Sequence, residues 1–339
     1  MIVLCTGTSG SGQIEYLDSV AKQVKSEQDR PRVYDLGDTM QALAREQRRS
    51  IPQEKLVDVG IVQELLAGWA FERIKSEILS LPEIAVHIVV AHACFRRRNI
   101  LFMGFNVACV KRLKPDMIVT IVDDISGVEA RLRGSDTWGK WCGVRDLSCW
   151  REEEILVSSI LACYQEVDYY VIPAAEPPIT LYNLLYHTDM RKVYLSFPIS
   201  NIMRLKDEEK RESFLRDVER LRDGLRENFV VFDPLSIMDL QLIPENLAAS
   251  EAEALAGQTV ERDYMLIHQS DFVVGYYPVL ERSFGVAAEM RYAKQFGKSV
   301  HAVIEEGSPF LSEFVDHTYG SPDELIRALS DRVKEGGQS

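Results

Sequence analysis

Basic residues are scarce in this chain of 339 residues. Its 39 lysines and arginines face 52 aspartates and glutamates, a formal net charge of −13. A general nucleic-acid surface or an anionic-membrane surface needs a basic footprint, so the deficit argues against both. Small anions remain open as ligands, because a few local arginines or helix N-termini suffice to hold them. No run approaches the roughly 18 apolar residues of a membrane span. The short apolar start MIVLCTG has no basic segment before it, so neither export nor insertion is expected. The six cysteines (Cys5, Cys94, Cys109, Cys142, Cys149, Cys163) include no C-x-x-C pair. Buried, reduced thiols in a cytoplasmic protein are expected, not a disulfide or zinc framework. Repeats of solenoid period and low-complexity segments are also missing. His268 and His301 lack partners at ligand spacing, so no metal catalysis is expected in the C-terminal half.

What is present is an ordinary globular composition, 46% hydrophobic and 27% charged. At roughly 150 residues per domain, the length predicts about two domains. Strand-like runs occur at Ile2–Cys5, Arg32–Tyr34, His87–Ala91, Met117–Val122 and Tyr169–Ile172. Helical patterns such as Gln63–Leu79 and Trp150–Gln165 lie between them. This alternation predicts a parallel sheet with helices on its faces. The stretch Ala174–Pro178 breaks the pattern, and a boundary is placed near residue 190. A second first-strand signal at Val193–Phe197 opens another α/β block. It continues with helices at Lys206–Arg226, Ala248–Gln269, Phe284–Phe296 and Pro322–Lys334, and strands at Val230–Phe232, Phe272–Gly275 and Ser299–Val303.

In the first block, the strand Ile2–Cys5 runs into Gly7-Thr8-Ser9-Gly10-Ser11-Gly12 and then a helix. The phosphate-gripping pattern G-x-x-x-x-G-K-[ST] has its glycine spacing here, with Gly7 and Gly12. Gln13 stands where the lysine belongs, and Ile14 where the Mg²⁺-binding hydroxyl belongs. Glycines and the helix dipole favour an anion. The two replacements argue against strong phosphoryl transfer. The candidate nucleotide-binding residues are Gly7, Ser9, Gly10, Ser11, Gly12, Gln13, Arg131 and Arg133. Asp123, after Met117–Val122, is a weak candidate for Mg²⁺. Arg96-Arg97-Arg98 is a candidate for an acceptor phosphate. Residues 1–190 resemble the adenylate-kinase-like branch of P-loop kinases, which implies ATP with Mg²⁺ as the ligand of an intact loop.

In the second block the stretch VERDYMLIHQSDFVVGYYPVLERSFGVAAEMRYAKQFGKSVHAV follows the strand KVYLSFPIS. Residues 191–335 resemble the nucleoside 2-deoxyribosyltransferases and their nucleotide N-glycosidase relatives. The expected fold is therefore α/β throughout. Two three-layer domains with parallel sheets are expected, P-loop kinase-like first and flavodoxin/Rossmann-like second. The resemblance implies Glu289 as a glutamate nucleophile, Asp263 as the carboxylate assisting base or sugar, and Tyr194 as its orienting hydroxyl. Cleaving an N-glycosidic bond needs such a carboxylate, because positive charge develops at C1′. Deoxyribosyltransferases acting on free nucleosides carry an aspartate where this chain has Ser283. A serine at a helix N-terminus admits a 5′-phosphate that an aspartate would repel. Ser283, Gly285 and Ser200 are the candidate substrate-binding residues, and Asp271 is read as structural. The expected substrate is a small-molecule nucleotide, cleaved without a cofactor, and the family implies a homo-oligomer. Two rival readings stay open: a kinase using an unusual P-loop, and a nucleotide sensor in which neither half reacts.

Overall fold

The computed structural model describes residues 1–46, 61–97, 100–134, 143–203, 205–237, 239, 249–277, 283–304 and 313–336. The chain forms two compact units. The first comprises Met1–Tyr182 with Ile237–Gln258, and the second Asn183–Ser236 with Thr259–Ser339. Among the described residues no helix is long and apolar enough to cross a membrane.

The first unit is built on a five-stranded parallel sheet. Its strands are β1 (Ile2–Thr6), β2 (Arg32–Asp35), β3 (His87–Val90), β6 (Met117–Val122) and β7 (Asp168–Pro173), in the order β2-β3-β1-β6-β7. A separate antiparallel hairpin pairs β4 (Cys94–Arg97) with β5 (Ile100–Met103). Strands β3 and β6 are buried along their whole length, as expected where helices cover both faces of a parallel sheet. The helix Val144–Gln165 turns Leu147, Trp150, Glu154 and Ser158 inward at helical spacing. It begins six residues before the sequence-predicted start at Trp150. Ile237–Gln258 groups with this unit although it follows the second unit's early strands in sequence. There Asp239 ion-pairs with Arg151 at 2.6 Å and accepts a hydrogen bond from the Ile125 amide.

The second unit carries β8 (Lys192–Ser196), β9 (Val230–Phe232), β10 (Phe272–Tyr277), β11 (Ser299–Ile304) and β12 (His317–Tyr319). They form a wholly parallel sheet in the order β12-β11-β10-β8-β9. Numbered within the unit, that order is 2-1-3-4-5. The chain leaves its first strand toward one edge and returns to its third on the other side. Ligands in such sheets bind beyond the carboxyl ends of the strands at this reversal, here β8 and β10. The helix Glu208–Arg226 buries Phe214, Val218, Leu221 and Leu225, exposes charges such as Glu208, Arg216 and Arg220, and pairs Arg222 with the buried Asp233. Asp207 caps its N-terminus by accepting from the Lys210 amide. Gly275 on β10 is needed for a close approach: a Cβ there would sit 2.2 Å from the Met290 methyl. Its absence lets the helix Phe284–Gln295 settle onto the sheet, and that helix carries Glu289.

The architecture is thus α/β with two parallel sheets, as the alternation of runs predicts. The hairpin β4–β5, the helices Leu36–Glu46, Val107–Leu113 and Ile125–Leu132, and strand β12 have no counterpart in the sequence prediction. Strand β5 is exposed at all four positions, so it carries no alternation to read.

Candidate active site

Residues of the second unit from three elements meet at the carboxyl-terminal half of β8. Tyr194 and Ser196 lie two residues apart on that strand, so their side chains share one face of the sheet. Both are fully buried. Glu289 sits in the second turn of the helix Phe284–Gln295, and Ser196 Oγ donates to its Oε2 at 2.5 Å. Asp263 comes from the helix Ala249–His268, next to Arg262, whose Nη2 lies 3.2 Å from Asp263 Oδ1.

The electrostatics follow from this crowding. Glu289 is half-buried as a residue. Protein nevertheless surrounds its carboxyl closely. Desolvation first, and the neighbouring Asp263 charge second, push its pKa up to about 8, against the opposing hydrogen bond from Ser196 and a weaker pull from Tyr194. Asp263 is also raised by burial, with Arg262 pulling it back. Tyr194 is raised well above the usual phenol value by burial and by the charges of Asp263 and Glu289, so it stays a neutral donor. Its hydroxyl is buried and, among the described residues, closes no well-formed hydrogen bond.

Ser283 caps the helix of Glu289. Its Oγ accepts from the Val286 amide, and its own amide donates to the Tyr277 hydroxyl at 2.9 Å. A Cβ at Gly285 would lie 3.9 Å from Ser283 Oγ and 4.0 Å from Glu289 Oε1. The structure therefore brings Glu289, Asp263 and Tyr194 together, with Ser283 and Gly285 at the start of the helix that carries Glu289. Ser200 falls in the short helix Ile199–Met203 after β8, while its side chain and Arg204 lie outside the described residues. Asp271 accepts from the Lys192 amide at 2.7 Å and ties β10 to β8, the structural role expected. His301 is buried against Tyr319, 3.0 Å away. Ser196 and Arg262 were not anticipated from the sequence. Strand periodicity could have found Ser196, since it shares the face of Tyr194.

The glycine loop belongs to the first unit. Thr8, Ser9, Gly10 and Ser11 form a turn closed by the Ser11 amide on the Thr8 carbonyl. Gly10 and Gly12 have φ near +78° and +79°, the left-handed region that favours glycine. The helix Gln13–Ala21 then starts without a side-chain cap. Among the described residues, Ser11 Oγ and Gln13 Nε2 are buried and find no hydrogen-bond partner. Arg131 reaches this loop: its Nε donates to the Gly10 carbonyl at 2.5 Å and its Nη2 pairs with Asp123. Arg133 instead pairs with Glu129 on the exposed surface, and Arg96 pairs with Glu153. Arg98 lies outside the described residues. Mg²⁺ fits poorly here, because Asp123 is already engaged by a guanidinium and Ile14 has no ligand atom. Among the described residues no cluster of three or more metal-ligating side chains forms.

No protein-family model matches this chain, and a search of curated proteins finds no relative. Solved structures similar to it include a 2-deoxyribosyltransferase from Bacillus psychrosaccharolyticus, with 17% identity, 40% of this chain and 90% of that chain covered, and TM-score 0.30. The CMP N-glycosidase BcmB of Clostridium botulinum matches with 16% identity, 41% and 98% coverage, and TM-score 0.26. A shikimate kinase from Bacteroides thetaiotaomicron matches with 14% identity, 66% and 98% coverage, and TM-score 0.31.

Proposed function

We propose that the second unit is an N-glycosidase that cleaves a nucleoside 5′-monophosphate to a free base and a sugar phosphate. The observation that carries this reading is the Ser196–Glu289 hydrogen bond at the sheet's reversal point, with Asp263 and Tyr194 beside it. Glu289 attacks C1′ as the bond to the base breaks, and water then releases the sugar from the carboxylate. Ser196 favours the ionised nucleophile by donating to it. Tyr194, held neutral, adds a second donor on the same face. Asp263 assists the departing base or the sugar hydroxyls. Ser283, at the start of a twelve-residue helix, receives the phosphate with the aid of the helix dipole.

Incubating the full-length protein with a panel of ribo- and deoxyribonucleotides, and separating bases by chromatography, tests the reading. Base release that depends on Glu289 supports it. No release from any nucleotide sinks it. The phosphate assignment has its own test. Ser283→Asp should shift preference from nucleotides toward nucleosides, and unchanged nucleotide turnover would remove Ser283 from the site.

A further inference from the structure

Asp263 and Glu289 stand beside one another, but their partners differ in kind. Glu289 takes a neutral hydroxyl, Ser196 Oγ, on its Oε2. Asp263 takes a guanidinium, Arg262 Nη2, on its Oδ1 at 3.2 Å. Arg262 and Asp263 are successive residues of one helix, and successive helix residues do not face each other. Their contact is therefore not a by-product of helix geometry. Both side chains lean toward it, and both are largely buried, 7% and 15% exposed.

Burial fixes the charges of this pair. A guanidinium does not give up its proton in a protein, so Arg262 stays a cation. A buried cation needs a counter-charge. Among the described residues Asp263 is the one carboxylate within ion-pair distance of Arg262, and Arg262 Nε and Nη1 find no partner. The ionisable groups that face Asp263 from other elements are Glu289 and Tyr194. Neither brings positive charge. Asp233, which also acts on Tyr194, pairs with Arg222 at 2.6 Å, so that cation is spent elsewhere. Arg262 and Asp263 thus neutralise each other. Glu289 is bonded to a hydroxyl, which donates to a carboxylate and accepts from a carboxylic acid, so Glu289 is the member of the pair free to exchange a proton. An ionised carboxylate only accepts hydrogen bonds. Among the described residues nothing donates to Asp263 Oδ2.

We propose that Arg262 is a positioning residue that fixes Asp263 as an anion, so that Asp263 accepts a hydrogen bond from the substrate and does not protonate the departing base. The substrate group set against it is then a donor, a sugar hydroxyl or an exocyclic amine of the base. As Glu289 bonds to C1′, the base leaves with the electrons of the C1′–N bond and takes its proton from water. The part played toward substrate rests on the N-glycosidase reading. The hold of Arg262 on Asp263 does not.

Carbon NMR on the full-length protein, labelled at its aspartate carboxyls, reads the ionisation of Asp263, with Asp263→Asn marking its signal. In wild type the signal should be that of an anion at about pH 6 and above. In Arg262→Met it should titrate about two pH units higher than in wild type. In Arg262→Lys it should stay near the wild-type value, since a single contact needs only a cation. Titration at the same pH in wild type and Arg262→Met overturns the proposal. If Arg262→Met does not fold, wild type decides: an ionised Asp263 at about pH 6 supports the proposal and a protonated one overturns it. Base release gives the second arm. Arg262→Met should lose as much activity as Asp263→Asn, with the same split between kcat and KM, and the two together should lose no more. Additive losses overturn the positioning role. Taking the donor from the substrate should erase the gap between wild type and Asp263→Asn. A 2′- or 3′-deoxynucleotide does so if the donor is a hydroxyl, and a base without an exocyclic amine does so if it is an amine. A gap that survives all of these overturns the acceptor role. No base release from wild type would end the N-glycosidase reading, and the titration would still decide the hold of Arg262 on Asp263. Equal titrations beside intact base release would end this inference alone.

Discussion

Glu154 and Glu289 share one cause and differ in everything around it. Each is pushed above the ordinary glutamate value chiefly by desolvation, to about 7 and about 8. Glu154 is sealed, and three fixed backbone amides and a thiol hold its two oxygens. Glu289 is only half-buried as a residue, takes a side-chain hydroxyl as its donor, and has a second carboxyl as a neighbour. Backbone donors cannot turn away, so a carboxylate bonded to them organises a loop and does not attack a substrate. A hydroxyl on a rotatable side chain can follow the oxygen it serves. A raised pKa alone therefore does not mark a nucleophile. Burial and the kind of donor separate the two sites.

That contrast breaks first at Glu289. Glu289→Gln should lower base release by about 10⁴-fold or more, because the amide cannot form the glycosyl ester. Glu154→Gln should leave base release within a few-fold of wild type in the same chromatographic assay. Equal loss in both variants would erase the distinction. Asp263→Asn is expected to cost less, about 10²-fold, as loss of an assisting proton or hydrogen bond. It should act mainly on kcat, which steady-state kinetics on one nucleotide would separate from KM.

A smaller effect tests the donor. Catalysis in the free enzyme needs Glu289 ionised, so kcat/KM should rise as pH rises through about 8. The Ser196 hydrogen bond favours the charged form, and Ser196→Ala should move that midpoint up by about one unit. A pH profile with an unmoved midpoint would show that Ser196 packs beside Glu289 without polarising it.

The legible part of the molecule was what local pattern encodes. Both parallel sheets follow from apolar runs separated by amphipathic helices, and the loop at Gly7–Gly12 follows from its glycines. Glu289, Asp263 and Tyr194 came from a motif resemblance, and the structure gathers them. Ser196 was readable only from strand periodicity combined with the choice of Tyr194. Arg262 looks like any helix arginine until its burial is known. Glu154 sits in the run Arg151-Glu152-Glu153-Glu154, which reads as a solvated charge cluster. Its spacing from Leu147, Trp150 and Ser158 is the one hint that it faces inward. Its partners Gly7 and Ala93 are 147 and 61 residues away, and no local pattern encodes contacts at that range.

The two carboxyls also predict different stability windows. A group whose pKa is raised by folding favours the folded state when protonated. Its contribution is whole below the unfolded value and is lost as pH rises through the folded value. For Glu154 that loss ends near 7, and for Glu289 near 8. The Tm of the wild-type protein should therefore fall from about pH 5 to about pH 9, with Glu289 alone still contributing to the slope at the upper end. Glu289→Gln should flatten the last part of that fall by roughly 3 °C or more, while Glu154→Gln flattens only the earlier part. Differential scanning calorimetry at closely spaced pH values reads both. Identical flattening by the two variants over the same range would mean that the neighbouring Asp263 charge adds nothing to desolvation at Glu289. The second carboxyl would then have no place in tuning the nucleophile.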